Sequence, residues 1–246
     1  MFRIQLWQKE GQQIKFLGGG LGLNMEIKMR IKLLLAAGLL ALAGGAASAA
    51  TVSTNFNLRA GGNATNQSSL SYSVGDVSLS VTGFSCGNNA GPNSSTCSSG
   101  PIDRSSNHGI YFNRGQGDDH TVDGAGRNEF LKLSFAPDIT LDKVKFSYWD
   151  RTDNARLYTV GGSGWDLATN INTGGGGGGG GSVFEYDFSG TFTGSMFLLG
   201  AQDRNDDWKL KGITVDYTAP VPLPAALPLL LAGLGGLGMM RRKKTS

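Results

Sequence analysis

The sequence predicts an all-β fold, an antiparallel two-sheet sandwich of the jelly-roll type, with a transmembrane helix near the C-terminal end. Three observations support this prediction. Between Thr51 and Tyr217, apolar and polar residues alternate with a period of two, and helical periodicity is nearly absent. Clusters of Gly, Asn, Asp and Ser divide this region into short runs. The last apolar run, residues 225–240, contains no charged residue.

Residues 25–49 have the pattern of a secretory signal peptide. Three cations precede the apolar run 33–43, and Ala47 and Ala49 form a small-residue cleavage site around Ser48. Residues 1–24 do not fit a signal peptide, because they are polar and carry an acidic residue, so we interpret them as a mis-called start.

Nine short strands are expected in the middle of the chain. The eight consecutive glycines at 174–181 interrupt them, and we predict a flexible loop there because no regular element tolerates that entropy cost. A soft boundary between two subdomains is the alternative. The predicted strands cover residues 52–58, 76–81, 110–112, 130–135, 139–149, 156–160, 183–188, 195–199 and 208–217.

One domain is expected over residues 50–219, a length that buries a full core. It contains 12 Lys and Arg against 17 Asp and Glu, a net charge of −5, although the whole chain carries +3. An acidic domain of this kind is a poor match for phosphate backbones, so we expect no nucleic-acid partner.

Cys86 and Cys97 are the only cysteines, and their number and spacing in an exported chain predict one disulfide. Residues 87–96 between them are rich in Asn, Gly, Ser and Pro. A bridge closing this loop stabilises the fold by about 2–3 kcal/mol. Two thiols without a neighbouring His are too few ligands for a metal site.

Acidic clusters are the candidate sites for structural calcium. Asp203, Asn205 and Asp207 occupy alternate positions, which suits calcium coordination by carboxylate and amide oxygens, although Trp208 replaces the glycine of an EF-type loop. For all the clusters, solvated turn residues are the alternative interpretation. Two further clusters are residues 117–120 with Asp123, and Asp150 with Asp153 and Asn154.

Catalytic patterns are weak, and we expect a protein that is not an enzyme. His108 and His120 are the only histidines, and no G-x-S-x-G motif is present. Glu129 and Glu185, the only glutamates of the domain, lie in no recognisable motif. Five aromatic residues are candidates for a sugar-stacking platform or for filling the core, with Trp165 expected to be the most exposed: Tyr148, Trp149, Tyr158, Trp165 and Trp208.

The C-terminal end has three parts in order: a proline-bearing motif, an apolar run and a basic stop. The apolar run 225–240 makes a helix of about 24 Å, short against a hydrocarbon core of about 30 Å. The basic stop marks the cytoplasmic side. The motif is Val221, Pro222, Leu223, Pro224 and Ala225, and the stop is Arg241, Arg242, Lys243 and Lys244.

Residues 221–246 resemble the VPLPA-type branch of the PEP-CTERM sorting signals. The resemblance implies that 221–225 is the recognition segment and that a membrane-embedded exosortase processes the signal in the inner membrane. It implies nothing about the domain in front.

From these features we expect an exported, non-catalytic protein of the cell surface or extracellular matrix, with extracellular polysaccharide as a partner. The two alternatives are a carbohydrate-binding module, which needs an exposed aromatic strip, and a glycan-active hydrolase, which needs paired carboxylates in a cleft.

Overall fold

The computed structural model describes residues 49–114, 120–172, 182–201, 203–220 and 233–234. The chain divides into two compact units, Met1–Ser48 with Pro222–Ser246, and Ala49–Val221. The predicted signal peptide with Ala47, the poly-glycine loop, the sorting motif 221–225 and the basic stop lie outside the described residues. Of the predicted cleavage site, Ala49 is described and is exposed. Gly233 and Leu234 are the described part of the predicted helix 225–240. No helix in the described stretches is long and apolar enough to cross a membrane.

The described part of Ala49–Val221 contains thirteen strands and is all-β, as predicted. The alternation of apolar and polar side chains produces them, since successive residues of a strand point to opposite faces. The strands are β1 (Thr51–Asn57), β2 (Ala64–Gln67), β3 (Leu70–Val74), β4 (Val77–Cys86), β5 (Ser98–Gly100), β6 (Ile102–Ser105), β7 (Gly109–Phe112), β8 (Val122–Asp123), β9 (Asn128–Trp149), β10 (Asn154–Gly161), β11 (Gly164–Asn172), β12 (Ser182–Ala201) and β13 (Asp207–Thr218).

Two long strands, β9 and β12, organise the sheet. Each joins two segments that the sequence predicts as separate strands, and the two are paired antiparallel over both halves. On its other side, the first half of β9 pairs with β4, from Asn128 to Ala136. The second half pairs with β13, from Thr140 to Ser147. Both halves of the domain therefore share one hydrogen-bonded ribbon.

The antiparallel all-β class is confirmed, but a sandwich of two separate sheets is not shown. The described strands form one connected sheet with the main path β11-β10-β12-β9-β13-β7-β6-β2. The sheet is continuous because two of its strands are long: β9 has 22 residues and β12 has 20. At roughly 3.3 Å per residue their backbones have contour lengths of about 70 Å. This length lets β9 pair with β4 along its first half and with β13 along its second half.

One large apolar core forms on the inner face of the sheet. It receives Trp149 and Trp208, which are fully buried and lie on either side of Phe146 at ring separations of 4.7 and 5.0 Å. Strands from distant parts of the chain meet here, and Phe56 of β1 packs edge-on against Phe135 of β9 at 5.9 Å.

A second, smaller apolar cluster lies apart from the large core. Its buried members are Cys86, Phe130, Tyr158 and Leu198, and Cys97 and Trp165 pack against them. Phe130 is directed here, whereas its neighbour Leu131 points into the large core. This cluster needs its own cover against water.

Candidate functional site

The predicted disulfide between Cys86 and Cys97 is confirmed. It joins the end of β4 to the residue before β5 and closes the loop over the small cluster around Phe130. Side chains from elsewhere also hold this loop. Asn128 donates to the Ala90 carbonyl at 2.9 Å, and Asn93 makes two hydrogen bonds with the Trp165 backbone, both at 2.8 Å. The bridge therefore fixes a cover that polar contacts position.

The structure brings two of the predicted acidic clusters together into one site, which we call the acidic turn: residues 150–154 and 203–207. The carboxylate of Asp153, 1 % exposed, accepts hydrogen bonds from the backbone N–H groups of Asp150 and, at 2.9 Å, Asp207. The β9–β10 connection is thereby tied to the start of β13.

Asp206 makes the reciprocal tie. Its carboxylate, on a residue 2 % exposed, accepts from the Asn154 N–H and the Asp203 N–H, both at 2.9 Å. Trp208 Nε1 completes the contact by donating to the Asn154 carbonyl at 3.1 Å. Two buried carboxylates thus receive four backbone donors, which is how buried polar groups are satisfied.

Burial raises the pKa of Asp153 to about 7, and the charges of Asp207 and Asp150 add to this effect, while the two N–H donors oppose it. Asp150, which is half-buried, is the opposite case, because hydrogen bonds from Thr152 lower the pKa of its carboxyl group. Neighbouring carboxyl groups in one turn therefore favour different protonation states.

The calcium interpretation of Asp203, Asn205 and Asp207 stays a prediction. These three side chains are exposed, and Asp203 lies 3.5 Å from Arg156. Among the residues that the structure describes, no group of three or more His, Cys, Asp or Glu side chains is arranged to hold a metal ion. Within residues 203–207, the buried carboxyl group belongs to Asp206, which the alternate spacing of Asp203, Asn205 and Asp207 passes over.

Of the remaining predicted cluster, residues 117–119 lie outside the described residues, and Asp123 is buried in an ion network. Arg114 approaches Glu129 at 2.7 Å and Asp123 at 3.3 Å. The N–H of Asp123 also donates to Glu129 at 3.1 Å. Glu129 is fully buried. This carboxylate pair is enclosed by protein rather than open to a substrate.

The two histidines lie at the ends of a row of aromatic contacts around Lys209. The Lys209 ammonium is 4.3 Å from the ring centres of both Tyr111 and Tyr148. His108 packs edge-on against Tyr148, and His120 stacks on Tyr111. Burial lowers the pKa of Lys209, and cation–π contact is the attraction that holds the ammonium there.

Most of the predicted aromatic platform is inside the protein. Trp149 and Trp208 are fully buried and Tyr158 is 5 % exposed, as expected for core residues. Trp165 is half-buried against the small cluster, and Tyr148 is half-buried beside Lys209. These five residues therefore do not form one exposed strip.

A depression of about 220 Å³ lies on the outer face of β1, β13, β9 and β12, and we call it the basic groove. Gly212 lies at its centre, paired with Asn57 on one side and Lys145 on the other. Because Gly212 has no side chain, the row of outward side chains is interrupted there. The groove is lined by Asn55, Asn57, Arg59, Lys143, Val144, Lys145, Glu185, Lys211, Gly212 and Thr214.

The cations of the basic groove are not singled out by any motif in the sequence. A signal is present in retrospect: Lys143 and Lys145 are two residues apart on one strand, so they share the outer face, and Asn55 and Asn57 do the same on β1. The pairing of β1 with β13 and β9 then places them side by side, which sequence spacing does not reveal.

No protein-family model, no curated protein and no solved structure matches this chain.

Proposed function

We propose that the chain is an exported, non-catalytic protein of the cell surface or extracellular matrix, delivered through a C-terminal sorting signal. The observation that carries this proposal is the Cys86–Cys97 disulfide. Disulfides form and persist in oxidising compartments, so the bridge fits a domain that leaves the cytosol. The signal-peptide pattern of residues 25–49 and the tail 221–246 support the same conclusion.

In this proposal an exosortase recognises residues 221–225 while the helix 225–240 spans the inner membrane and the basic stop stays on the cytoplasmic side. The domain 50–219 then faces the outside, with extracellular polysaccharide as its partner.

We further propose that the continuous sheet folds over into two layers. The ring contact between Phe56 and Phe135 supports this. So does the close approach of Phe112 to Gly83: a β-carbon added at Gly83 would lie 2.8 Å from the Phe112 ring.

A non-catalytic role is supported by how the carboxylates are used. Asp153 and Asp206 accept backbone hydrogen bonds, and Asp123 and Glu129 are held by Arg114. A glycan hydrolase needs two carboxyl groups facing a substrate across a cleft. The four carboxylates are buried, so a structural role explains them better.

The test is to express the full chain in a Gram-negative host that contains an exosortase of this type. The wild type is expected outside the cytosol, beginning at Ala50 and with both thiols oxidised. Replacing Pro222 and Pro224 by Ala is expected to leave an unprocessed, membrane-bound form, whereas Pro228→Ala, within the apolar run, serves as the control. An uncleaved wild-type chain in the cytosol with free thiols would overturn the proposal.

A further inference from the structure

We propose that the basic groove binds an acidic saccharide, with the carboxylate of a uronate-type sugar held between Arg59 and Lys211 and the sugar hydroxyls held by the Asn and Thr side chains. This deepens the polysaccharide partner proposed above and rests on that function for its biological setting. Its test uses purified protein, so it can fail or succeed independently of the export experiment.

The balance of charge at the groove favours binding of an anion. Lys145 lies 3.3 Å from Glu185, and Lys143 lies 3.5 Å from Asp187, so each has a carboxylate partner. Arg59 and Lys211 have no carboxylate partner among the described residues. Their like charges converge in a domain whose net charge is −5. Cations placed together without counterions repel one another, and a bound anion removes this repulsion.

The environment of Lys211 also favours binding of an anion. Burial lowers its pKa, and the nearby charges of Arg59 and Lys145 lower it further. These effects disfavour the charged form of Lys211 in the free protein, and a carboxylate bound between Lys211 and Arg59 reduces them. Asn57 Oδ1 also accepts from Arg59 Nε at 3.0 Å, which orients the guanidinium. One of the two main cations is thus positioned before any ligand arrives.

The size of the groove and the chemistry of its lining suit a sugar. The volume of about 220 Å³ suits a single sugar ring rather than a larger ligand. Asn55 Nδ2 donates a hydrogen bond to Thr214 Oγ1 at 2.9 Å. These two side chains supply the amide and hydroxyl groups that recognise sugar hydroxyls. Among the residues that the structure describes, no aromatic side chain lines the groove, so they offer no platform for the base stacking that single-stranded nucleic acid uses.

The test is calorimetric titration of the purified full chain, kept in detergent, with trigalacturonate. Its fully methyl-esterified form is the matched ligand, since it keeps the sugar rings and removes the negative charges. We expect the acid to bind and the ester to bind at least about tenfold more weakly. Binding of the acid should weaken as salt increases.

Variants locate the site. Lys211→Met and Arg59→Met are each expected to weaken binding of the acid about tenfold, the effect of losing one hydrogen bond to a charged group. Lys132→Met is the matched control, because Lys132 is a half-buried lysine of the β9 half that pairs with β4 and does not line the groove. Melting curves confirm that each variant is folded.

Four results would overturn the proposal. The first is that the ester binds as well as the acid. The second is that the Lys132→Met variant loses as much affinity as the Lys211→Met variant. The third is that no binding of the acid is seen at millimolar concentration. An oligonucleotide that binds more tightly than trigalacturonate and competes with it would also overturn it, in favour of a nucleic-acid site.

Discussion

The acidic turn and the basic groove are both polar regions where charges of one sign gather, but they use their charges differently. In the turn, Asp153 and Asp206 are buried, and each carboxylate accepts two backbone hydrogen bonds. In the groove, Arg59 and Lys211 are half-buried, and no carboxylate of the described residues pairs with them. Buried side chains whose oxygens accept backbone hydrogen bonds hold the turn together, whereas cations without a carboxylate partner leave the groove suited to an anion.

The largest effect is expected from removing a buried acceptor of the turn. Asp206→Ala leaves the N–H groups of Asn154 and Asp203 without their acceptor, so we expect the free energy of unfolding to fall by about 2–4 kcal/mol. Urea denaturation measures this. Asp203→Ala, which removes an exposed carboxylate 3.5 Å from Arg156, is the control and should cost no more than about 1 kcal/mol. Equal losses would show that the turn is not held by buried carboxylates.

A pH dependence follows from Asp153. Its pKa of about 7 in the folded state is above the usual 3.8, so the folded state holds this proton more tightly than the unfolded state. Its contribution to stability is therefore full below about pH 4 and is lost as the pH rises through 7. We expect a loss of about 1–2 kcal/mol between pH 5 and 8, allowing for screening by solvent.

The matched variant for this slope is Asp153→Asn, which cannot ionise and should show a flatter profile. His108 opposes the slope, because burial and the charges of Lys209 and Lys211 lower its pKa, and its contribution is lost as the pH falls below 6.5. The measurement is therefore made in a His108→Asn background. A profile that is equally steep with and without Asp153 would assign the slope to other groups.

The groove is expected to respond in the opposite way to the turn. Lys211→Met removes a cation that repels Arg59 and Lys145, so the free energy of unfolding should stay within about 0.5 kcal/mol of the wild type or rise. Chemical denaturation without ligand checks this. A loss as large as that of Asp206→Ala would mean that Lys211 is a structural residue, and the comparison between the two regions would fail.

The smallest effect is expected from calcium. The buried oxygens of the turn already accept backbone donors, so the exposed side chains of Asp203, Asn205 and Asp207 are left as calcium ligands. If they bind calcium, millimolar calcium should raise the melting temperature by several degrees and chelation should reverse the rise. An unchanged melting temperature would end the calcium prediction.

The sequence by itself predicts the all-β class and the disulfide, and the structure bears out both. Alternation is a local property of each strand, and Cys86 and Cys97 are the only two cysteines, so no tertiary information is needed. Trp149 and Trp208 fill the core, which is one of the two roles that the sequence leaves open for them.

The joining of the strands and the grouping of the charged side chains depend on tertiary structure. Residues 130–135 and 139–149 merge into β9 because strands pair with them on both sides. The residues between them, Pro137 and its exposed neighbours, do not indicate a continuous strand. Asp153 and Asp206 are 53 residues apart, and Arg59 and Lys145 are separated by more, yet strand pairing places each pair in one site. The physical reason is that alternation determines which face a side chain occupies, whereas register between distant strands determines its neighbours.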